Sequence, residues 1–165
     1  MALVKYNDRS LRNLTTVPAA VTNNPGALVH IKTLTASSSG TLSFVDGSDS
    51  VVLDSTYPIY KFEFINIHPS ANGAEGTAFQ VLAHEIGNGN DENIAMTLTL
   101  FNPSSSVFVK HFIATNNINH NSGLSENKFV AGYFNTTTAL TRVQFKMSSG
   151  NIDAGQIKLY GIKDA

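Results

Sequence analysis

The sequence predicts an all-β protein, an antiparallel, jelly-roll-like β-sandwich of roughly nine or ten strands. Short runs rich in β-branched and aromatic residues alternate apolar and polar side chains with a period of two, the repeat of a strand. Polar turns rich in Gly, Asn and Ser separate these runs. Helical periodicity is confined to one weak candidate at residues 78–86.

The predicted strands cover residues 28–35, 41–45, 51–54, 59–68, 94–101, 107–115, 129–134, 140–147 and 156–162. The fourth run is the clearest, because Tyr60, Phe62 and Phe64 share one face. Its second face is also partly apolar, which predicts a position inside a sheet. The fifth and sixth runs form a hairpin that turns at Pro103, and the last three runs form a meander.

Length and composition indicate one domain with few charges. The 165 residues divide into an N-terminal arm or first strand at 1–21 and a single β-sandwich domain at 22–165. Charged residues make up 14% of the chain, below the roughly 25% usual for soluble domains, and the net charge is −1. These values argue against nucleic-acid binding, and no apolar run is long enough for membrane insertion. The absence of cysteine excludes disulfides and thiolate metal sites.

Two segments invite a metal assignment, and neither supports one. His84 and Glu85 begin a zinc-protease-like pattern, but Asn88 stands where the second histidine ligand is needed. The loop at residues 87–93 supplies oxygen atoms and glycines without the acidic spacing of a calcium-binding loop. The same holds for the acidic residues near residue 50, which are Asp46, Asp49 and Asp54. We predict no metal and no cofactor.

Catalysis has no motif in this sequence. His111 shares its strand parity with Val109 and Ile113, which favours a structural histidine over a general base. No serine has the sequence context of a known nucleophile, such as G-x-S-x-G. We predict that the protein is not an enzyme. Whether the chain brings its histidines together in space, namely His68, His84, His111 and His120, is left open by the sequence.

Several strings carry a family resemblance across most of the chain. They are MALVKYN at 1–7, the run GTLSFVDGSDSVVLDSTYPIYKFEFINIHP at 40–69, GNGNDEN at 87–93, LFNPSSSVFVKHFI at 100–113, AGYFNTT at 131–137 and RVQFKMSSGNIDAGQIKLYGI at 142–162. Together they resemble small virion structural or tail-fibre-like proteins of marine tailed phages, of the cyanophage and pelagiphage type. The resemblance implies a non-enzymatic component of the virion, assembled in the cytoplasm of an infected bacterial host. Family members carry a longer insertion after Gly73, where residues 74–80 form a short bridge here.

Two functions remain in competition. The first is a structural subunit on the particle surface, as capsid decoration or cement or as a tail-associated protein. It would contact other virion proteins and form a homo-oligomer such as a trimer. Its expected assembly arm is formed by Leu3, Val4, Tyr6, Leu11 and Leu14.

The second function is adhesion, by a tail-fibre or tail-tip module that binds a host-surface glycan. Loops at residues 69–77, 116–127 and 135–139 would form the contact surface. The expected receptor or partner residues are Asn72, Asn116, Asn117, Asn119, Tyr133 and Asn135. The absence of tryptophan disfavours this function, since sugars often stack on exposed aromatic rings.

Overall fold

A computed structural model describes residues 27–71 and 79–163, and these residues form strands and loops without a helix. The strands are β1 (Leu28–Thr35), β2 (Leu42–Val45), β3 (Ile59–Pro69), β4 (Ile94–Phe101), β5 (Lys110–Asn119), β6 (Ser125–Phe134), β7 (Arg142–Phe145) and β8 (Ile152–Ile162). The prediction of an all-β fold is therefore confirmed.

The strands form two sheets of unequal size. The large sheet has six strands in the order β1-β8-β3-β4-β5-β6, and the small sheet pairs β2 with β7. Every pairing is antiparallel. Strands β3 to β6 are neighbours in the sheet in the order of the chain, with the long segment 70–93 between β3 and β4. Strand β8 returns from the end of the chain to lie between β1 and β3.

The core lies between the two sheets. Tyr60, Phe62 and Phe64 of β3 are buried on the inner face of the large sheet, as their alternation predicts. Phe44 of β2 and Phe145 of β7 pack edge-on against Phe62, each with ring centroids 5.3 Å apart. The predicted aromatic face is therefore confirmed, and it holds the small sheet over β3.

A bulge interrupts the pairing of β3 with β8. The register shifts between Ile65 and His68, and Asn66 has a φ of 52° opposite Gly155 with a φ of 105°. A Cβ atom on Gly155 would lie 2.3 Å from the Asn66 carbonyl oxygen. Only glycine combines this backbone conformation with this close approach.

Three predictions from the first half and the end of the chain are wrong. Residues 51–54 form a loop, in which the Asp46 carboxylate accepts the Leu53 N–H at 2.9 Å and thus replaces a strand partner. Residues 79–86 form an irregular segment rather than a helix, with a φ of 55° at Glu85. The last three strands are no meander, because β7 leaves the large sheet for the small one and β8 returns beyond β3.

The bounds of β5 and β6 also differ from their predictions. Residues 107–109 lie outside the strand, and β5 continues through residues 116–119, which were predicted as loop. Strand β6 begins at Ser125 rather than at Phe129. Asparagine disfavours strands in isolation, but the ladder that pairs Asn117 with Asn127 outweighs this local preference.

Candidate functional site: an apolar corner and an apolar groove

The outer face of the large sheet carries an exposed apolar patch on β5 and β6. Three cross-strand pairs lie side by side there: His111 with Tyr133, Ile113 with Ala131 and Thr115 with Phe129. Directly opposite residues share a face of the sheet. Phe129, Tyr133 and Ile113 are 79%, 58% and 52% exposed. We call these three side chains, together with the free edge of β6, the apolar corner.

The apolar corner lacks the charges that usually protect a sheet edge. The outward positions of β6 are Ser125, Asn127, Phe129, Ala131 and Tyr133, none of them charged. Within the described ranges, β6 pairs only with β5. Edge strands that avoid association usually carry lysines, prolines or bulges. The two charges of β6, Glu126 and Lys128, have the opposite strand parity and bond to each other. The outward side of this edge therefore presents exposed aromatic rings without a charge, which is suited to contact with another protein surface.

A shallow depression adjoins the apolar corner on the same face. It encloses about 360 Å³ and is bordered by Glu63, Thr97, Thr115, Asn117 and Asn127. The Asn117 side-chain amide donates to Ser125 Oγ at 3.1 Å. The depression therefore offers amide and hydroxyl groups next to the ring of Phe129, which is the partner of Thr115 across the ladder.

The predicted receptor residues differ in their exposure. Asn117, Tyr133 and Asn135 are exposed, whereas Asn119 is half-buried and its backbone bonds to residues 87 and 93. Asn72 lies outside the described residues. So does the predicted assembly arm, which is formed by Leu3, Val4, Tyr6, Leu11 and Leu14.

Asn116 is wrong as a receptor residue, because it lies inside the protein. Its side chain is 1% exposed, and its Nδ2 donates to the Leu82 carbonyl oxygen at 2.6 Å. Its inward position follows from its strand parity with Phe112 and Ala114, which are buried on the same face of β5. The residue therefore serves packing rather than recognition.

Asn116 belongs to a set of side chains that hold residues 79–86, which we call the strap, over β5 and β6. His120 Nε2 lies 2.5 Å from Glu85 Oε2, and Lys128 Nζ contacts His84 Nε2. The strap backbone is also bonded to the end of β5, since Ile86 forms a β-bridge with His120. The strap thus covers the half of the large sheet that the small sheet leaves uncovered.

An apolar groove of about 550 Å³ lies between the strap and β7. Its floor is the inner face of the large sheet, and its two walls are the strap and β7. The apolar side chains of the floor and the β7 wall include Phe64, Met96, Leu98, Phe112, Phe145 and Met147. At one end the walls meet, where Lys146 Nζ lies 5.1 Å from the centre of the Phe79 ring.

Serine, histidine and glutamate side chains align at the anchored end of the strap. Ser122 Oγ lies 2.6 Å from His120 Nδ1, and His120 Nε2 lies 2.5 Å from Glu85 Oε2. The Ser122 N–H also donates to His120 Nδ1 at 3.1 Å. This bonding makes Nδ1 an acceptor and leaves Nε2–H to donate to Glu85.

In the described part of the chain, the three N–H groups of residues 121–123 beside this alignment are not free to stabilise an oxyanion. A serine hydrolase needs free N–H groups near its nucleophile to stabilise the oxyanion. Here the N–H groups of Asn121, Ser122 and Gly123 are all engaged, with Glu85 O, His120 Nδ1 and His120 O respectively. The cluster therefore fastens the strap to the β5–β6 turn.

The four histidines His68, His84, His111 and His120 do not all come together. His84 and His120 both approach Glu85, whereas His68 bonds to the Gly89 carbonyl oxygen at 3.0 Å. His111 lies on the outer face beside Tyr133, with ring centres 5.9 Å apart. Over residues 27–71 and 79–163, no group of three or more His, Cys, Asp or Glu side chains is arranged to hold a metal ion.

Of the apolar corner, sequence reasoning identified only Tyr133, and it missed the groove and the Ser122–His120–Glu85 alignment. A signal for the corner was present, since no charge occurs between Phe129 and Arg142. The groove and the alignment join residues from distant parts of the chain, and no local motif marks them.

The fold defines the chain as an all-β protein in which a large antiparallel sheet packs against a small one. No protein-family model, no curated protein and no solved structure matches it. None of the described residues form a helix long and apolar enough to cross a membrane.

Proposed function

We propose that this chain is a non-enzymatic structural subunit of a phage particle, mounted on the virion surface as capsid decoration or cement or as a tail-associated protein. The apolar corner is the observation that carries the structural role. The phage setting rests on the sequence resemblance. The proposed partners are other virion proteins and further copies of this chain in a homo-oligomer such as a trimer.

The edge of β6 can gain backbone hydrogen bonds and apolar burial from contact with a partner. The free N–H and C=O groups of β6 can extend their ladder into a strand of a partner. The rings of Phe129 and Tyr133 then lose contact with water, at about 25 cal/mol of stabilisation per Å² of apolar surface. Low surface charge removes the repulsion that would otherwise oppose close packing of many copies.

A jelly-roll-like sandwich belongs to the same proposal. Strand β8, which returns between β1 and β3 after strands β3 to β6, supplies a long connection of the kind found in Greek-key folds. An experimental structure of the assembled protein tests this, since it must show a second sheet of more than two strands.

The test compares two exposed phenylalanines. Phe129→Lys places a charge on the apolar corner, while Phe108→Lys places one at residue 108, which is 69% exposed and lies in the β4–β5 loop. Both changes leave the core untouched, so both variants are expected to fold with unchanged stability. Light scattering would measure oligomer size, and gold-labelled antibodies would measure incorporation into particles of a phage that encodes the protein.

We expect Phe129→Lys to be monomeric in light scattering and to reduce particle labelling at least tenfold, while Phe108→Lys retains both the oligomer and the labelling. Equal assembly by the two variants would show that the corner is not the contact surface. Particles that carry no label with the unmodified protein would refute the virion assignment itself.

Glycan adhesion is a second candidate, favoured by the depression beside Phe129. Amide groups next to an aromatic ring form the usual chemistry of a sugar site. This function predicts that the isolated protein binds host cells, that soluble envelope polysaccharide competes, and that Asn127→Ala weakens binding at least tenfold. Unchanged binding after Asn127→Ala, or no binding at micromolar concentration, would eliminate it.

A further inference from the structure

We propose that the apolar groove is filled by the chain's own N-terminal segment, residues 1–26, which adds a strand to the free side of β7 and completes the small sheet. This inference is independent of the phage assignment. It places the segment in its own molecule, whereas an assembly arm would contact a neighbour.

The size and lining of the groove call for an occupant. Protein interiors pack as densely as organic crystals, and few voids exceed the size of a water molecule. A groove of about 550 Å³ lined by Met96, Leu98 and Phe112 is far larger than such a void. These floor side chains are already at most 8% exposed, whereas Phe79 on the strap wall is 45% exposed, so an occupant would cover apolar surface mainly on the walls.

The free side of β7 indicates that the occupant is a polypeptide. Among the residues the structure describes, β7 pairs with β2 alone, and the groove lies along the β7 side of this pair. A strand seated there would bond to the β7 backbone and cover the floor with its side chains. A small apolar molecule could fill the volume but could not satisfy the backbone.

The path of the chain brings residues 1–26 to the open end of the groove. Ala27 O accepts the Lys163 N–H at 2.9 Å, so the segment starts at the end of the sheet where Leu28 pairs with Ile162. Leu100 and Phe134 lie at that same end, as the register from β3 to β6 shows. Both line the groove, whereas its opposite end is closed by Lys146 and Phe79.

The distance is short enough. Three strand spacings of about 4.8 Å separate β1 from β4, and the second layer of a sandwich lies about 10 Å above the first. About nine residues of extended chain span roughly 30 Å, which leaves residues 1–17 to enter the groove. This part of the segment contains Leu3, Val4, Tyr6, Leu11 and Leu14. Residue 17 would lie at the open end and residue 1 deepest in the groove. Strand β7 runs inward from the open end, so the segment would pair with it in antiparallel orientation.

Disulfide trapping tests this arrangement in the full chain, which has no cysteine of its own. Gln144→Cys on the β7 wall would be paired in turn with a cysteine at residue 3, 4, 6, 11 or 14. Lys158→Cys on the outer face of β8 would replace Gln144→Cys in matched controls. After mild oxidation, intact mass and non-reducing electrophoresis separate internal disulfides from links between molecules.

We expect at least one Gln144→Cys pair to form an internal disulfide in most molecules and the Lys158→Cys controls to form none. Links only between molecules would overturn the proposal and place the segment on a neighbour. No link above the control level would overturn it as well.

Hydrogen exchange of the unmodified protein is a second test of whether residues 1–17 pair with β7, and it needs no substitution. We expect amides in residues 1–17 and on β7 to exchange at least a hundredfold more slowly than in an unstructured chain. The proposal would be overturned if residues 1–17 exchanged at the rate of an unstructured chain. It would also be overturned if native mass spectrometry showed an apolar small molecule bound to the protein.

Discussion

Replacement of Asn116 by alanine tests whether this residue is a structural anchor or a receptor contact. The substitution removes the bond of 2.6 Å from Nδ2 to the Leu82 carbonyl oxygen. It leaves that carbonyl under the strap without this donor. An unsatisfied buried polar group costs about 1–3 kcal/mol. Asn116 Oδ1 has no partner among the described residues, and its removal offsets part of this cost.

We therefore expect Asn116→Ala to lower the free energy of unfolding by about 1–2 kcal/mol. For a protein of this size, each kcal/mol corresponds to a loss of about 2–4 °C in Tm. Asn117→Ala is the matched control, because the neighbouring side chain is exposed and bonds only to Ser125 Oγ. Its effect should stay within about 0.5 kcal/mol.

Urea denaturation followed by far-ultraviolet circular dichroism measures both variants under identical conditions. Equal stability of Asn116→Ala and Asn117→Ala would refute the anchoring role of Asn116. Loss of glycan binding by Asn116→Ala with unchanged stability would contradict the conclusion that Asn116 serves packing rather than recognition.

Three further predictions concern the core, the bulge and one tyrosine. Phe62→Ala removes a fully buried ring that packs on two others and should cost about 3–5 kcal/mol in urea denaturation; a cost below 1 kcal/mol would contradict the packing. Gly155→Ala should cost more than Gly47→Ala, because both glycines have positive φ but only Gly155 faces a carbonyl oxygen at close range; equal losses of Tm would show that the bulge relaxes. Burial, helped by the negative charge of Asp54, raises the pKa of Tyr60. The unfolded tyrosine ionises near pH 10 while the folded one remains protonated, so this contribution to stability is complete below about pH 10 and is lost as the pH rises above it. Tyr60→Phe should therefore flatten the decline in stability above about pH 10, and an unchanged decline would assign it to other groups.

Strand periodicity was sufficient to predict the fold class and the core of β3 and β4. In β3 the inward positions Tyr60, Phe62 and Phe64 are all large and aromatic, which identified their face as the buried one. The burial of Ile67, which has the opposite parity, follows from the bulge and was not predicted. The same pattern could not show which strands become neighbours. Nothing local in β7 indicates that it joins β2 rather than β6, because that choice depends on contacts such as Phe145 with Phe62.

The candidate sites were less accessible to sequence reasoning, for two physical reasons. In β5 the residues Lys110 and Asn116 occupy inward positions by parity. Polar residues are typical of loops, so the sequence did not indicate that these two side chains are buried. Lys110 is buried and donates to Thr136 O at 3.0 Å, a partner that no local rule predicts. The exposed rings of Phe129 and Tyr133 follow the same period as a core strand, so alternation alone could not identify them as surface.

The central position of β8 has a consequence for how the molecule forms. Strand β1 pairs only with β8 among the described strands, and more than a hundred residues separate them in the chain. Strands β3 to β6 can pair early with near neighbours, whereas β1 must wait for a distant segment to close a long loop. Until β8 pairs with β3, the backbone N–H and C=O groups on that edge of β3 are unpaired and can bond to another chain. Newly made chains are therefore at greatest risk of aggregation in this interval, and the strands that pair first hold β3 in place for β8.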